Sequence, residues 1–455
     1  MNTQRIPTKT LFLGLIIYLC LLYFPFIIAR EAAGDQAIQG DSVYYRAMIV
    51  SMLEDGDLLL ANNIPGNPLD GQLALGSAGL LPKHPILMPV VSLPFYALFG
   101  DQGLLLFNIL GSMALLLLIF ALNTLFFEGW LAGITTVLYA TCTLFLNYVY
   151  NYSPDVFATV LLLAGLYLVL KHRPYSGALL LGLSVFAKTP NALLAGPILL
   201  YAFATIWRDT AQAPVPRRLA RVAAIAALFL LALLPFLYTN YLLFGSPFVT
   251  GYQRAAVAGP NGTVLIDDHV AKFNQPLLQG IAQSLFDAQN GLLPSNPVLL
   301  LALPGVLWLG KSARREQLLL VLLLCVAQFL FFAKYDDWRA SNFSNRFLMT
   351  SVALSSVFVC NALRVLAGRA TPGQPAGLKS PQALRATICS APSAGKRANS
   401  AAPQTCALLD PASVRASRLR PMRPPHPAHP PRGRRLDGMS CQKCPESPSK
   451  GLQVL

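Results

Sequence analysis

Long apolar segments constrain this chain more than any other feature of its sequence. Residues 103–126 and 222–234 are largely hydrophobic, and about 20 apolar residues are enough to cross a bilayer core. The composition agrees, since 54% of the 455 residues are hydrophobic and 12% are charged. Inside lipid only helices and closed barrels satisfy the backbone, and continuous rather than alternating hydrophobicity favours helices. The sequence therefore predicts an all-α polytopic membrane protein.

The apolar pattern predicts about ten transmembrane helices. The first segment is interpreted as a retained span rather than a signal peptide, because no small-residue cleavage site follows it before Arg30 and Glu31. The predicted spans cover residues 11–29, 103–125, 130–147, 155–170, 176–190, 192–207, 222–243, 296–310, 317–333 and 347–366.

Basic residues in the connecting loops predict the orientation, since positively charged loops favour the cytoplasmic side. With ten spans, the basic groups near the amino terminus and at about 171–173, 208–221 and 311–315 all share one side. We therefore expect both termini in the cytoplasm, with the protein in a bacterial inner (plasma) membrane. Two long loops, about 30–102 and 244–295, then lie outside the cytoplasm. The first is expected to contain membrane-surface helices.

The character of the chain changes near residue 368. Residues 1–368 form the predicted membrane domain, whereas 369–455 are rich in Pro, Ala, Ser and Arg, a composition typical of a disordered tail. This basic cytoplasmic tail has 14 basic and 3 acidic residues, or +11 of the net charge of +15. We expect no nucleic-acid partner, because the basic residues are concentrated there. The composition also fits translation in a shifted frame, and that alternative stays open.

Isolated ionisable residues collect on the predicted extracytoplasmic side. An apolar chain has little reason to group acids and bases at a membrane surface unless they bind one another or a polar ligand. Simpler structural roles are available for several of them, as helix-start residues, as an interfacial lysine or as an ion pair. The group consists of Asp41, Lys83, His84, Asp155, Lys188, Arg339 and Arg346.

These residue types suit chemistry on a phosphate-bearing substrate. A carboxylate such as Asp41 can take a proton from an acceptor hydroxyl, and Arg346 can bind a phosphate with two parallel hydrogen bonds. Lys188 lies between two apolar spans and needs a partner, for which Asp155, Asp41 and a lipid phosphate are candidates. The sequence contains no nucleotide-binding loop. We expect no cofactor, and the sequence does not support a divalent metal.

The order of these motifs resembles the GT-C superfamily of integral-membrane glycosyltransferases, in particular the branch that holds aminoarabinose transferases and protein O-mannosyltransferases. Three departures from the family pattern are Ser42 in place of a second acid, Ile86 in place of a second proline and Thr189 in place of a glycine. The matching motifs are Asp41-Ser42-Val43-Tyr44-Tyr45, Gly56-Asp57, Lys83-His84-Pro85-Ile86-Leu87 with Phe99-Gly100, Asp155, Ala187-Lys188-Thr189-Pro190 and Arg346-Phe347-Leu348.

The resemblance implies a GT-C-like fold and a transferase of the EC 2.4 class. Its donor would be a sugar on a polyprenyl-phosphate carrier, and its acceptor a lipid, a glycan or a protein on the extracytoplasmic face. Asp41 is implied as the catalytic base, and Asp155 as a residue that shapes the site. Residues implied to bind the donor phosphate are Lys83, His84, Lys188 and Arg346.

Two other functions remain open from the residues alone. A transporter or flippase for a lipid-linked anion would also gather Lys and Arg beside a membrane cavity, although such proteins often contain paired broken helices. No such pair is evident in the sequence. An inactive remnant is the second alternative, suggested by the composition of residues 369–455.

Overall fold

The computed structural model describes residues 7–64, 66, 68–260, 263–309, 314–338 and 344–368. These residues belong to one compact unit. Arg339 and the predicted tail at 369–455 lie outside the described residues, so the expectations for them stay predictions.

Helices occupy all ten of the predicted spans. Among the described residues, six helical segments are long and apolar enough to cross a membrane, and the chain is an integral membrane protein. The other four segments are shorter, so the count of ten spans stays a prediction. The helices of the spans are α1 (Thr8–Ala32), α4 (Asp101–Thr124), α5 (Gly129–Thr141), α7 (Pro154–Leu170), α8 (Pro174–Ala187), α9 (Ala192–Asp209), α10 (Val215–Phe244), α13 (Ala302–Leu307, after a 3₁₀ turn at Pro297–Leu301), α14 (Arg315–Ala333) and α15 (Met349–Leu366).

Further short helices lie in the connections. The first long loop contains two of them, α2 (Asp41–Val50), continued by a π-helical turn to Asp55, and α3 (Leu87–Phe99). Their location at a membrane surface stays a prediction. The remaining ones are α6 (Phe145–Tyr148), α11 (Leu277–Phe286) and α12 (Leu292–Ser295).

Polar contacts mark the two ends of the helix assembly. At one end, Arg208 of α9 lies 3.0 Å from Glu316 of α14, and His172 after α7 lies 3.6 Å from Asp209. These are the ends with the basic loops. The opposite end of α7 begins at Pro154, and α8 ends there at Ala187. Asp155 and Lys188 therefore lie at the end remote from the basic loops.

The helices pack closely where small residues meet. A side chain at Gly305 of α13 would lie 1.9 Å from the carbonyl oxygen of Phe358 in α15. Gly165 of α7 and Gly177 of α8 face each other in the same way. A Cβ added at Gly165 would lie 3.2 Å from the Gly177 carbonyl oxygen, and one added at Gly177 would lie 2.9 Å from the Gly165 carbonyl oxygen. Close approach of this kind increases van der Waals contact, which is a main source of helix association in lipid.

A four-stranded antiparallel sheet joins the two long loops, and the all-α expectation omitted it. Its strands are β1 (Asp70–Gly76), β2 (Gly79–Pro82), β3 (Ala255–Ala258) and β4 (Val264–Asp267), in the order β2-β1-β3-β4. A two-residue turn at Ser77-Ala78 connects β1 to β2, with Gly76 opposite Gly79. The strands are short and outside the apolar spans, where glycine-rich sequence indicates turns more strongly than strands.

Candidate active site

Four of the six candidate site residues form one continuous chain of ion pairs. An Arg346 guanidinium nitrogen lies 2.6 Å from Oδ2 of Asp41, and its Nε lies 3.9 Å from Oδ2 of Asp155. The other oxygen of Asp155 accepts a hydrogen bond from Nζ of Lys188. Acids and bases therefore alternate along the chain, in the order Asp41, Arg346, Asp155, Lys188.

Helix ends bring these four residues together. Asp41 is the first residue of α2, and Asp155 lies in the first turn of α7 behind Pro154. Lys188 follows the last residue of α8, and Arg346 begins the 3₁₀ turn that leads into α15. Each side chain thus leaves a helix terminus, where the backbone turns and leaves space for a polar group.

Asp41 does not act as a helix cap, which was its alternative structural role. Gly40 occupies the cap position, and no side chain caps α2. The Asp41 carboxylate is instead directed at Arg346, with 22% of the side chain exposed. Burial raises the pKa of this carboxyl, but the Arg346 charge, the neighbouring His84 and Lys83 and the Arg346 hydrogen bond together outweigh burial and hold the pKa well below its usual range. Asp41 is therefore ionised at neutral pH.

Lys83 is buried rather than extended into an interface. Only 4% of the residue is exposed, and Nζ donates to the Gly71 carbonyl at 2.9 Å and to Oε1 of Gln72 at 2.6 Å. Both acceptors are neutral, and among the described residues no carboxylate pairs with Lys83. Burial lowers the pKa of its ammonium to about 8. At neutral pH this is a buried cation without a counter-charge in contact.

His84 lies between two tyrosine rings. It stacks on Tyr45 with ring centroids 5.1 Å apart, and its Nδ1 is 3.0 Å from the Tyr252 hydroxyl. Burial lowers the pKa of the imidazole to about 3, so the ring is neutral at pH 7. Its Nε2 is buried and has no hydrogen-bond partner among the described residues. A buried polar atom without a partner is a candidate ligand contact.

The site holds one buried cation that no carboxylate of the described residues contacts. Within the ion-pair chain two acids balance two bases, and Lys83 lies beside it, in the field of Asp41 and Asp70 but hydrogen-bonded only to neutral groups. The field of Lys83 reaches Asp41, whose pKa it lowers. Such a site favours an anionic ligand, because the ligand would give Lys83 a charged hydrogen-bond partner in contact.

Sequence reasoning missed Gly251 and Tyr252, and it gave Tyr45 no role beyond its place in the first motif. Tyr252 lies in the second long loop, and β3 pairs with β1 to hold that loop against the first. The signal that was available is local: apolar strand residues flank the turn Gly76-Ser77-Ala78-Gly79, a hairpin pattern. Pairing of that hairpin with a strand more than 170 residues later has no local signal.

A second group of charged side chains joins the second long loop to the segment after α14. Lys272 is 3.0 Å from Asp267 and 3.5 Å from Asp337, and His269 is 3.3 Å from Asp267. These contacts join the end of β4 to the segment after α14. They hold the second loop over the end of the helix assembly, next to Lys83.

A site with Asp and His side chains could also hold a metal ion. Among the residues that the structure describes, no group of three or more His, Cys, Asp and Glu side chains is placed to hold a metal ion. The expectation that the protein uses no cofactor stays a prediction.

Solved structures with a similar fold are known. ArnT from Cupriavidus metallidurans bound to undecaprenyl phosphate superposes with a TM-score of 0.54 at 13% identity, over 79% of this chain and 61% of that one. ArnT in the apo state gives a TM-score of 0.51 over the same shares at 13% identity. The chain has the GT-C fold. The resemblance to the GT-C superfamily that the motifs predicted is confirmed at the level of the fold.

The similarity has clear bounds. The chain spans 61% of the length of the ArnT structures. Archaeal AglB from Archaeoglobus fulgidus, in complex with an inhibitory peptide and a dolichol-phosphate, gives a lower TM-score of 0.45 at 12% identity, over 86% of this chain and 53% of that one. No protein-family model and no curated protein matches the sequence.

Proposed function

We propose that this chain is a membrane glycosyltransferase that moves a sugar from a polyprenyl-phosphate carrier to a lipid, glycan or protein acceptor. The observation that carries the proposal is the ion-pair chain from Asp41 to Lys188 with Lys83 beside it, a buried cation hydrogen-bonded only to neutral groups. It supports binding of an anion next to an ionised carboxylate. The GT-C fold adds support, because ArnT is known with undecaprenyl phosphate bound.

The phosphate of the donor would bind at the cationic side of the site. Lys83 supplies a full charge, and Nε2 of His84 supplies a buried polar atom that lacks a partner. Arg346 and Lys188 would add hydrogen bonds to the phosphate oxygens. These groups stabilise the charge that develops on the phosphate when the bond to the sugar breaks.

Donor binding would also activate Asp41. A carboxylate paired with Arg346 is a weak base, because the pair holds its pKa low. A phosphate that competes for Arg346 weakens that pairing, and burial of Asp41 then raises its pKa. The base that removes a proton from the acceptor hydroxyl is thus strengthened only when the donor is present.

The location of the reaction follows from the predicted orientation. The site lies at the end of the helices remote from the basic loops. With those loops in the cytoplasm, transfer takes place at the outer face of a bacterial inner membrane. A lipid-linked donor fits this location, because transfer from a lipid carrier needs no nucleotide sugar outside the cytoplasm.

The proposal is tested in proteoliposomes with a panel of radiolabelled undecaprenyl-phosphate sugars and a membrane extract as the source of acceptor. Transfer of label together with release of undecaprenyl phosphate supports the enzyme. Movement of intact donor across the bilayer without release would instead support a flippase. Protein that retains its thermal unfolding transition is folded. If such protein turns over none of the donors in the panel, the result would count against the transferase.

A further inference from the structure

His84 has an asymmetric environment that determines what its ring can do. Nδ1 faces the Tyr252 hydroxyl at 3.0 Å, whereas Nε2 has no partner among the described residues. The ring is neutral at pH 7 because burial lowers its pKa to about 3. A neutral imidazole carries one hydrogen, so the two nitrogens have opposite roles, and a hydrogen bond at one decides the role of the other.

Tyr252 is able to donate in this contact. Burial raises the pKa of its hydroxyl above the usual value, so the hydroxyl stays protonated. If it donates to Nδ1, the ring hydrogen resides on Nε2. The opposite arrangement would present a bare lone pair at Nε2, which repels an anion in a site that otherwise favours one.

The backbone around Tyr252 is built to hold that hydroxyl in place. A side chain at Gly251 would lie 2.5 Å from the Cα and carbonyl oxygen of Lys83, so this turn is in direct backbone contact with the Lys83-His84 segment. The turn itself is closed by a capping box, in which the Thr250 backbone N–H donates to Oε1 of Gln253 at 2.8 Å. Tyr252 therefore has little freedom to move away from His84.

The space beside this pair is small. His84 and Tyr252 line one cavity together with Thr239, Asn240 and Phe244 near the end of α10. Its free volume is about 20 Å³, which is room for about one water molecule. The cavity therefore has room for a single oxygen atom of a ligand beside His84 and Tyr252.

We propose that Tyr252 is a positioning residue that donates to Nδ1 of His84 and keeps the ring hydrogen on Nε2, directed at an anionic oxygen of the donor phosphate. The inference rests on the proposed function, since it takes the donor to be a polyprenyl phosphate. It adds a residue from the second long loop to the site and explains why that loop is joined to the first by the sheet.

The tautomer is measured directly by ¹⁵N NMR of the full-length protein with labelled histidine, because protonated and unprotonated ring nitrogens have well-separated shifts. The His84 signals are assigned by their loss in His84→Gln. We expect an unprotonated Nδ1, a protonated Nε2, and a shift of the Nε2 signal when undecaprenyl phosphate is added. A hydrogen on Nδ1 would overturn the inference. An Nε2 signal whose chemical shift does not change when the lipid binds would overturn it as well.

The matched variants are Tyr252→Phe and Tyr335→Phe. We expect Tyr252→Phe to lose the single tautomer and to bind undecaprenyl phosphate about tenfold more weakly, the effect of one charge-assisted hydrogen bond. The Tyr335 ring packs on Phe273 and Phe347. Loss of its hydroxyl should therefore change neither the His84 tautomer nor the affinity for undecaprenyl phosphate. A wild-type tautomer and affinity in Tyr252→Phe would refute the inference.

Failure of the proposed function has a different signature. Wild-type protein that does not bind undecaprenyl phosphate removes the proposed donor, and with it the role of Nε2. If the wild type binds the lipid and His84→Gln binds it weakly while Tyr252→Phe is normal, the donor site stands and only the role of Tyr252 falls.

Discussion

The guanidinium of Arg346 lies 2.6 Å from the carboxylate of Asp41, although 305 positions separate them along the chain. This pair closes the site, because it joins the start of α2 to the turn that leads into α15. It also couples two steps of the proposed reaction. An anion that binds Arg346 weakens the pair and increases the basicity of Asp41.

Replacing Asp41 by Asn should abolish sugar transfer. The amide cannot take a proton, and loss of a general base lowers rates by about 10²–10⁴-fold. Turnover of undecaprenyl-phosphate sugar in proteoliposomes measures the effect, at matched amounts of inserted protein. The control is Asp35→Asn, an acid of the same loop that pairs with Arg30; it should retain activity. An Asp41→Asn protein with normal turnover would remove Asp41 from the mechanism.

Donor binding should weaken as the pH rises above about 8. Burial lowers the pKa of Lys83 to about 8, so its ammonium is charged below that pH and neutral above it. Affinity for undecaprenyl phosphate, measured by a direct binding assay from about pH 7 to pH 9.5, should fall about tenfold as this charge is lost. In Lys83→Arg the decline should disappear, because arginine stays charged over this range. A wild-type affinity that is constant with pH would speak against a phosphate contact at Lys83.

The Asp155–Lys188 pair should contribute to stability. Only 4% of the Asp155 side chain and 17% of the Lys188 side chain are exposed. Lys188→Met leaves Asp155 with one partner at 3.9 Å, and breaking a buried pair in this way costs about 3 kcal/mol. The double variant Asp155→Asn with Lys188→Met should recover part of the loss. Thermal unfolding in detergent measures Lys188→Met, Asp155→Asn and the double variant, and purely additive effects would mean that the pair contributes nothing.

Close helix packing predicts opposite effects of two similar substitutions. Gly305→Ala would place a methyl group 1.9 Å from the Phe358 carbonyl oxygen, and overpacking of this kind lowers stability by about 1–3 kcal/mol. Gly133 in α5 has no atom within 4 Å of the added methyl position, so Gly133→Ala should be neutral or stabilising by up to about 1 kcal/mol. Equal midpoints of thermal unfolding for the two variants would show that the α13–α15 contact is less close than described.

The sequence by itself was sufficient for the helical framework. Each predicted span matches a helix, because hydrophobicity is a local property and the bilayer requires helices wherever the chain is apolar. The common location of Asp41, Asp155, Lys188 and Arg346 also followed, since alternating spans place every second loop at the same end. The pairing of these residues with one another could not be predicted from the sequence.

Tertiary structure alone decided the partners and the loops. The sheet between the two long loops depends on the pairing of β1 with a strand more than 170 residues later, and pairing over that distance has no local signature. The role of Tyr252 depends on that sheet and on the close approach of Gly251 to Lys83. Burial then determined the charges: the same folding that encloses Lys83 and His84 lowers both pKa values, so one remains a cation at neutral pH and the other becomes a neutral ring.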